Sequence, residues 1–217
     1  MLEVVIFDLD GLLVDSEPLQ FQAYREAFSR HGVSLDLGDW PEWHMLEASA
    51  ARWIEAHDLP LDAEQIRAEK KVVYEALIEN ELTLNPGAKT LVEALSNRFR
   101  LCIASGSRPE SIVASLDRFS LTSHFEQLFS ATLLRRKKPY PDVYEEVLSK
   151  MQITREQALV IEDSVTGLQA ATSAGIRCVV CPDTFTPSPP TDYAGAALLV
   201  DSLEELSPDK LERLAGE

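Results

Sequence analysis

Three cysteines, a shortage of basic side chains and the absence of any long apolar run mark this sequence first. Each scarcity excludes something. Cys102, Cys178 and Cys181 are odd in number and lie in apolar settings (LCIAS, RCVVC), so they read as reduced, buried thiols rather than a disulfide framework. Cys178 and Cys181 have CxxC spacing, but no second pair or histidine lies nearby to complete a zinc site, and packing is their expected role. Lysine and arginine number 20 against 36 acids, a formal net charge of −16. That excess repels nucleic acid and anionic membrane surfaces, so neither is an expected partner. No stretch approaches the roughly 20 apolar residues that span a bilayer. The chain leads straight into a short acid-containing strand, without the basic flank or cleavage site of a signal peptide, so the expected location is cytoplasmic.

What is present is an ordinary globular composition of 217 residues, 45% hydrophobic and 26% charged. Short β-branched runs alternate with longer helical patterns. Strands are predicted at Glu3–Phe7, Arg100–Ala104, Gln127–Ser130, Ala158–Ile161, Arg177–Cys181 and, more weakly, Ala197–Val200. Continuous apolar runs of this length fit parallel strands buried on both faces. Helices are predicted at Gly87–Asn97, Pro109–Phe119, Pro141–Met151 and Thr166–Ala174, with Gly175 as a C-cap glycine. The pattern predicts an α/β fold with a doubly wound, Rossmann-like parallel sheet.

One region breaks the alternation. From Asp15 to about Thr83 there is no convincing strand, and helical segments are predicted at Leu19–His31, Leu46–His57 and Ala63–Glu81, the last capped by Asp62. A connection this long is no ordinary βα loop. The expectation is a core of residues 1–14 and 84–217 with an all-α domain, 15–83, inserted after the first strand. The tryptophans of the insert, Trp40, Trp43 and Trp53, are expected mainly to pack its interior.

Ligands of open α/β sheets bind past the carboxyl ends of the strands. There the sequence places Asp8 and Asp10, then Ser105 and Gly106, then the RRKK run ending in Lys138, then Glu162 and Asp163. Carboxylates at i and i+2 on an extended segment share a face. With the acids of the fourth cluster they would make a hard-oxygen site suited to Mg²⁺. Ser105 and Gly106 fit a phosphate cradle at a helix N-terminus, and Lys138 fits a cation that neutralises a transferring phosphoryl group. Each cluster alone has a plainer reading: a turn, a loop, a solvated charge run, an N-cap. Their recurrence at corresponding strand ends favours a site.

The segments FDLDGLLVDSE, ASGS, KKPYPD and IEDSVTGLQAATSAG resemble the four motifs of the haloacid dehalogenase superfamily, in the branch of β-phosphoglucomutases and phosphoglycolate phosphatases. The resemblance covers nearly the whole chain. It implies Asp8 as nucleophile and Asp10 as general acid–base, with the Asp10 carbonyl on the metal. Ser105, Gly106 and Lys138 would hold phosphoryl oxygens, Glu162 and Asp163 would complete an Mg²⁺ site, and the insert would be a helical cap. The implied partner is a small phosphorylated molecule, handled by a monomer or weak homo-oligomer. The mutases carry a histidine where this chain has Gln20, and Glu47 in HMLEAS stands near their phosphate-gripping arginine. Both departures favour a phosphatase over a hexose-phosphate mutase. In the cap, His44 and Lys70 are the expected substrate-selecting residues.

Overall fold

The structure, a computed structural model, describes residues 1–40, 50–185 and 188–216. Its sheet is built outward from β1 (Val4–Phe7), whose four side chains are all fully buried. β2 (Arg100–Ser105) lies on one side and β4 (Ala158–Glu162) on the other, each parallel to it, with Phe7 level with Ile103 and Ile161. β3 (Gln127–Ser130), β5 (Arg177–Val180) and β6 (Leu198–Leu199) complete the order β3-β2-β1-β4-β5-β6. The chain therefore reverses its winding at β1. Between β1 and β4 lies the switch point at which such sheets open a crevice.

The expected doubly wound α/β fold is what the structure shows, and the strand predictions agree with it to within a residue or so. The alternation of side chains sends Val4 and Ile6 to one face. There they pack with Cys102, Val160 and Cys178 against Val143, Tyr144, Val147 and Met151. Cys102 and Cys178 are buried free thiols; Cys181 is a free thiol only half buried, less than the sequence led us to expect. Ser164 caps the helix after β4 by accepting from the Gly167 N–H at 3.1 Å. The helix Pro208–Gly216 was not among the predicted elements; of its residues only Leu211 is buried. No helix among the described residues is long and apolar enough to cross a membrane.

The chain forms two compact units, Met1–Asp15 with Leu84 onward, and Ser16–Thr83. In the second, α1 (Glu17–Ser29) packs along the helix Ala63–Glu81, while Ala50–Ala56 is the described part of the segment predicted from Leu46. Asp62 caps Ala63–Glu81 as predicted, its carboxylate accepting from Glu64 and Gln65 N–H groups at 2.7 and 3.0 Å. Trp40 and Trp53 are buried, meeting Phe21 and Phe28 edge-on with ring centroids 5.3 and 5.1 Å apart. Trp43 lies outside the described residues.

Candidate active site

Asp8 follows β1 directly, and its N–H donates to the Ile161 carbonyl at 3.0 Å, which holds it at the switch point. Asp8 is 6% exposed, and its carboxylate accepts from Lys138 Nζ and from the Leu9 N–H. The Lys138 ammonium has three donors, and it also meets Glu162 Oε1 at 2.5 Å and the Ala104 carbonyl at 2.8 Å. Burial alone would lower the Lys138 pKa, but the carboxylates of Asp8 and Glu162 outweigh it and hold the ammonium charged above the ordinary lysine range. Burial pushes Asp8 up to about 7 despite Lys138, and the charges of Glu162 and Asp10 add to the rise. The pocket thus holds more negative charge than its lysine neutralises.

Glu162, expected beside Asp163 as a metal ligand, turns its carboxylate to Lys138 and Tyr144. Its side chain is fully buried and already filled: Oε1 accepts from Lys138 and from the Tyr144 hydroxyl at 2.7 Å, while Oε2 accepts from the Asp163 N–H at 3.1 Å and the Ser164 hydroxyl at 3.2 Å. Burial would raise its pKa, but Lys138 and Tyr144 bring it below the usual range. Successive side chains on an extended segment point to opposite sides, so neighbours in sequence need not share a site. Glu162 anchors Lys138 instead.

Asp10 lies two residues beyond Asp8, turned toward the end of β2. Its Oδ2 accepts from the Ser107 hydroxyl at 2.7 Å and the Ser105 hydroxyl at 3.2 Å. Ser105 is fully buried and its Oγ also accepts from the Ser107 N–H at 2.9 Å. Gly106 is exposed, and a Cβ there would meet nothing within 4 Å, so its backbone is open to approach. Gly11, at φ +80°, turns the chain, and the Asn85 amide secures that turn by donating to the Gly11 and Leu12 carbonyls at 2.8 and 2.9 Å. A Cβ on Gly11 would come within 2.4 Å of Asp163 Oδ2, so the Asp163 carboxylate lies directly against this turn. Asp163 is 8% exposed.

Among the described residues no three histidine, cysteine, aspartate or glutamate side chains are grouped to hold a metal. Glu162 is committed to Lys138, and the Asp10 carboxylate to two serines. The oxygens that the motif resemblance assigns to a metal include the Asp8 and Asp163 carboxylates and the Asp10 carbonyl, of which Asp8 is bonded to Lys138 and Asp163 lies against the Gly11 turn. That set fits Mg²⁺, which binds through one or two carboxylates plus waters and substrate phosphate rather than an all-protein cage.

Of the residues expected to select substrate, His44 lies outside the described residues. Lys70 is described, and within its own helical unit it donates to Gln20 Oε1 and stands over the rings of Tyr74 and Tyr24, at 4.0 and 5.0 Å from their centroids. The sequence reading missed Ser107, Tyr144, Asn85 and Gly167. Gly167 had a signal, because a glycine in the first turn of a helix destabilises it unless something needs the space. A Cβ there would lie 1.9 Å from the Glu162 carboxyl carbon.

The family model of the haloacid dehalogenase-like hydrolases matches residues 5–181. The chain is 31% identical over 220 residues to the CbbY protein of Cereibacter sphaeroides, spanning 95% of this chain and 94% of that protein. It is 31% identical over 183 residues to a phosphorylated carbohydrates phosphatase of Thermotoga maritima, spanning 81% of this chain and 83% of that one. Its fold matches, with a TM-score of 0.81, 30% identity and coverage of 95% and 96%, a variant of Rhodobacter sphaeroides CbbY crystallised with xylulose-(1,5)bisphosphate. A family model spanning most of the sequence and relatives aligned nearly end to end leave one conclusion: the chain belongs to the haloacid dehalogenase-like hydrolases, in the branch of phosphatases and phosphoglucomutases.

Proposed function

We propose that this protein is a Mg²⁺-dependent phosphatase that hydrolyses a small phosphorylated sugar or similar phosphomonoester through an aspartyl-phosphate. The observation that carries the reading is the buried pairing of Asp8 with Lys138 at the switch point, with Ser105 at the neighbouring strand end. An Asp8 carboxylate oxygen attacks phosphorus, and the bond from phosphorus to the leaving oxygen breaks. Lys138, with the Ser105 hydroxyl and the Gly106 N–H, balances charge on the phosphoryl oxygens. Asp10 gives a proton to the leaving oxygen, then takes one from water. That water attacks phosphorus, the bond to Asp8 breaks, and inorganic phosphate, the Asp8 carboxylate and the protonated Asp10 are regenerated.

Asp8, Asp163 and the Asp10 carbonyl are the groups that would hold Mg²⁺, which supplies charge neutralisation at the phosphoryl group. The helical unit Ser16–Thr83 takes the role of a cap that sets the substrate, with Lys70 among the residues that do so. The relatives named as carbohydrate phosphatases point to a sugar phosphate. Gln20, bonded to Lys70 where the mutases carry histidine, favours hydrolysis over phosphoryl transfer between sugar positions.

Asp8→Asn tests the reading with little change of shape. Hydrolysis of p-nitrophenyl phosphate with Mg²⁺ should fall by more than roughly a thousandfold while the circular dichroism spectrum stays unchanged. A variant retaining near-normal turnover would remove the aspartyl-phosphate mechanism. Release of phosphate should also outrun interconversion of hexose 1- and 6-phosphates, and the opposite result would make the protein a mutase.

A further inference from the structure

We propose that Ser107 is a positioning residue for Asp10, fixing which carboxylate oxygen carries the proton. This rests on the acid–base role just given to Asp10. The geometry points to it in three ways. The Ser107 hydroxyl makes the shorter of the two hydroxyl contacts to Asp10 Oδ2, 2.7 Å against 3.2 Å from Ser105. Ser107 is in turn fixed from behind, because the hydroxyl of buried Ser130 donates to its carbonyl at 2.6 Å. Its own N–H donates to Ser105 Oγ at 2.9 Å, so one residue bridges the acid and the phosphate cradle. A serine that only lined the cradle would need none of the contacts to Asp10.

Two hydroxyls donating to Oδ2 stabilise negative charge there and set the plane of the carboxylate. They assign proton transfer to Oδ1. In the first step the Oδ1–H bond breaks, its proton passes to the leaving oxygen, and the electron pair stays on Asp10. In the second step Oδ1 receives a proton from the attacking water. Without Ser107 the carboxylate rotates about its side-chain bonds, and fewer molecules present Oδ1 at the right angle. Ser107 therefore acts on leaving groups that need a proton and matters little for those that do not.

The test is a double-mutant cycle on the full chain with Mg²⁺, reading glycerol release in a single turnover from β-glycerol phosphate and p-nitrophenol release from p-nitrophenyl phosphate. Ser107→Ala should slow release from the alkyl ester by about tenfold to a hundredfold, within the span of general acid catalysis. The aryl ester, whose leaving group departs without a proton, should change by less than about threefold, and KM should hold within the same factor. Ser107→Thr should recover most of the loss. In an Asp10→Asn background, Ser107→Ala should have no further effect beyond about twofold, because the residue acts through Asp10.

Equal losses on both esters, or the same loss with and without Asp10, would assign Ser107 to phosphate binding and overturn the proposal. If Asp10→Asn itself shows no difference between alkyl and aryl esters, the acid–base role of Asp10 fails, and this inference with it. If Asp10→Asn discriminates between them and Ser107→Ala does not, only the inference fails.

Discussion

Among the described residues, the α/β core buries Asp8, Ser105, Ser115, Ser130, Glu162 and Asp163, whereas the helical unit Ser16–Thr83 buries a single polar side chain, Ser16. The interior of the helical unit is otherwise aliphatic and aromatic, with Phe21, Phe28, Trp40 and Trp53 at its centre. A buried polar group is costly unless its partners are supplied, so each one in the core imposes a network. Lys138, Glu162, Tyr144 and Asp8 form such a network. An apolar interior imposes only volume and shape, and many sequences satisfy it. The interior of the core is therefore tightly encoded, whereas that of the helical unit admits many sequences.

The sharpest way to break this contrast is Lys138→Ala. It strips the ammonium from two carboxylates and leaves Glu162, fully buried, without its cation. Removing one partner of a buried pair costs about 3–5 kcal/mol. Urea denaturation should show that loss, and hydrolysis of p-nitrophenyl phosphate should fall by more than roughly a thousandfold. An unchanged denaturation midpoint would mean that Glu162 is accommodated cheaply, and the core would lose its claim to be strictly encoded.

Phe28→Ala makes the opposite cut. Phe28 is fully buried and meets Trp53 edge-on. Its loss should destabilise the protein by about 3–5 kcal/mol, as other large-to-small core changes do. At a temperature where the variant remains folded, turnover of the aryl phosphate should stay within about tenfold of the parent. A loss of turnover as deep as that of Lys138→Ala would tie the helical interior to the chemistry and erase the distinction.

Gly167→Ala is a smaller probe of the core. The new methyl would overlap the Glu162 carboxyl group, so either that side chain or the start of the helix Val165–Ser173 must move. Overpacking of this kind costs about 1–3 kcal/mol. Because Glu162 orients Lys138, kcat should drop by roughly tenfold, a catalytic effect from a residue with no polar atom in its side chain. A variant with lowered stability and normal kcat would show that Lys138 keeps its place without Glu162.

The same contrast explains what could be read in advance. The strand VVIF, the serine at the end of β2 and the cap at Asp62 are local patterns of period, turn and charge, and they were legible. The bonds of Glu162 to Lys138 and Tyr144 were not legible, because adjacency in sequence with Asp163 hides the change of side-chain direction at the strand end. Tyr144 is buried on a helix together with Val143, Val147 and Met151, and the partner of its hydroxyl, Glu162, lies at the end of β4. Ser107 sits two residues past a strand end, where the backbone path decides whether a hydroxyl faces Asp10 or water. In the helical unit the pattern of buried residues was readable, but recognition depends on which exposed groups a substrate meets. Nothing in a helical period encodes that.

Lys70→Ala is the mildest change and the one that tests recognition directly. Lys70 lies on the helix Ala63–Glu81, bonded to Gln20 and standing over Tyr74 and Tyr24. Such ring contacts are worth about 0.5–1 kcal/mol at partly exposed sites, so stability should barely change. If the helical unit sets the substrate and Lys70 is one of its reading groups, kcat/KM for the preferred sugar phosphate should fall by about tenfold. The order of preference across sugar phosphates, phosphoglycolate and nucleotides should change with it. Hydrolysis of p-nitrophenyl phosphate, which presents no sugar to recognise, should stay within about twofold. A uniform fall on every substrate would instead make Lys70 part of the packing between Tyr24 and Tyr74. An unchanged ranking would remove it from recognition altogether.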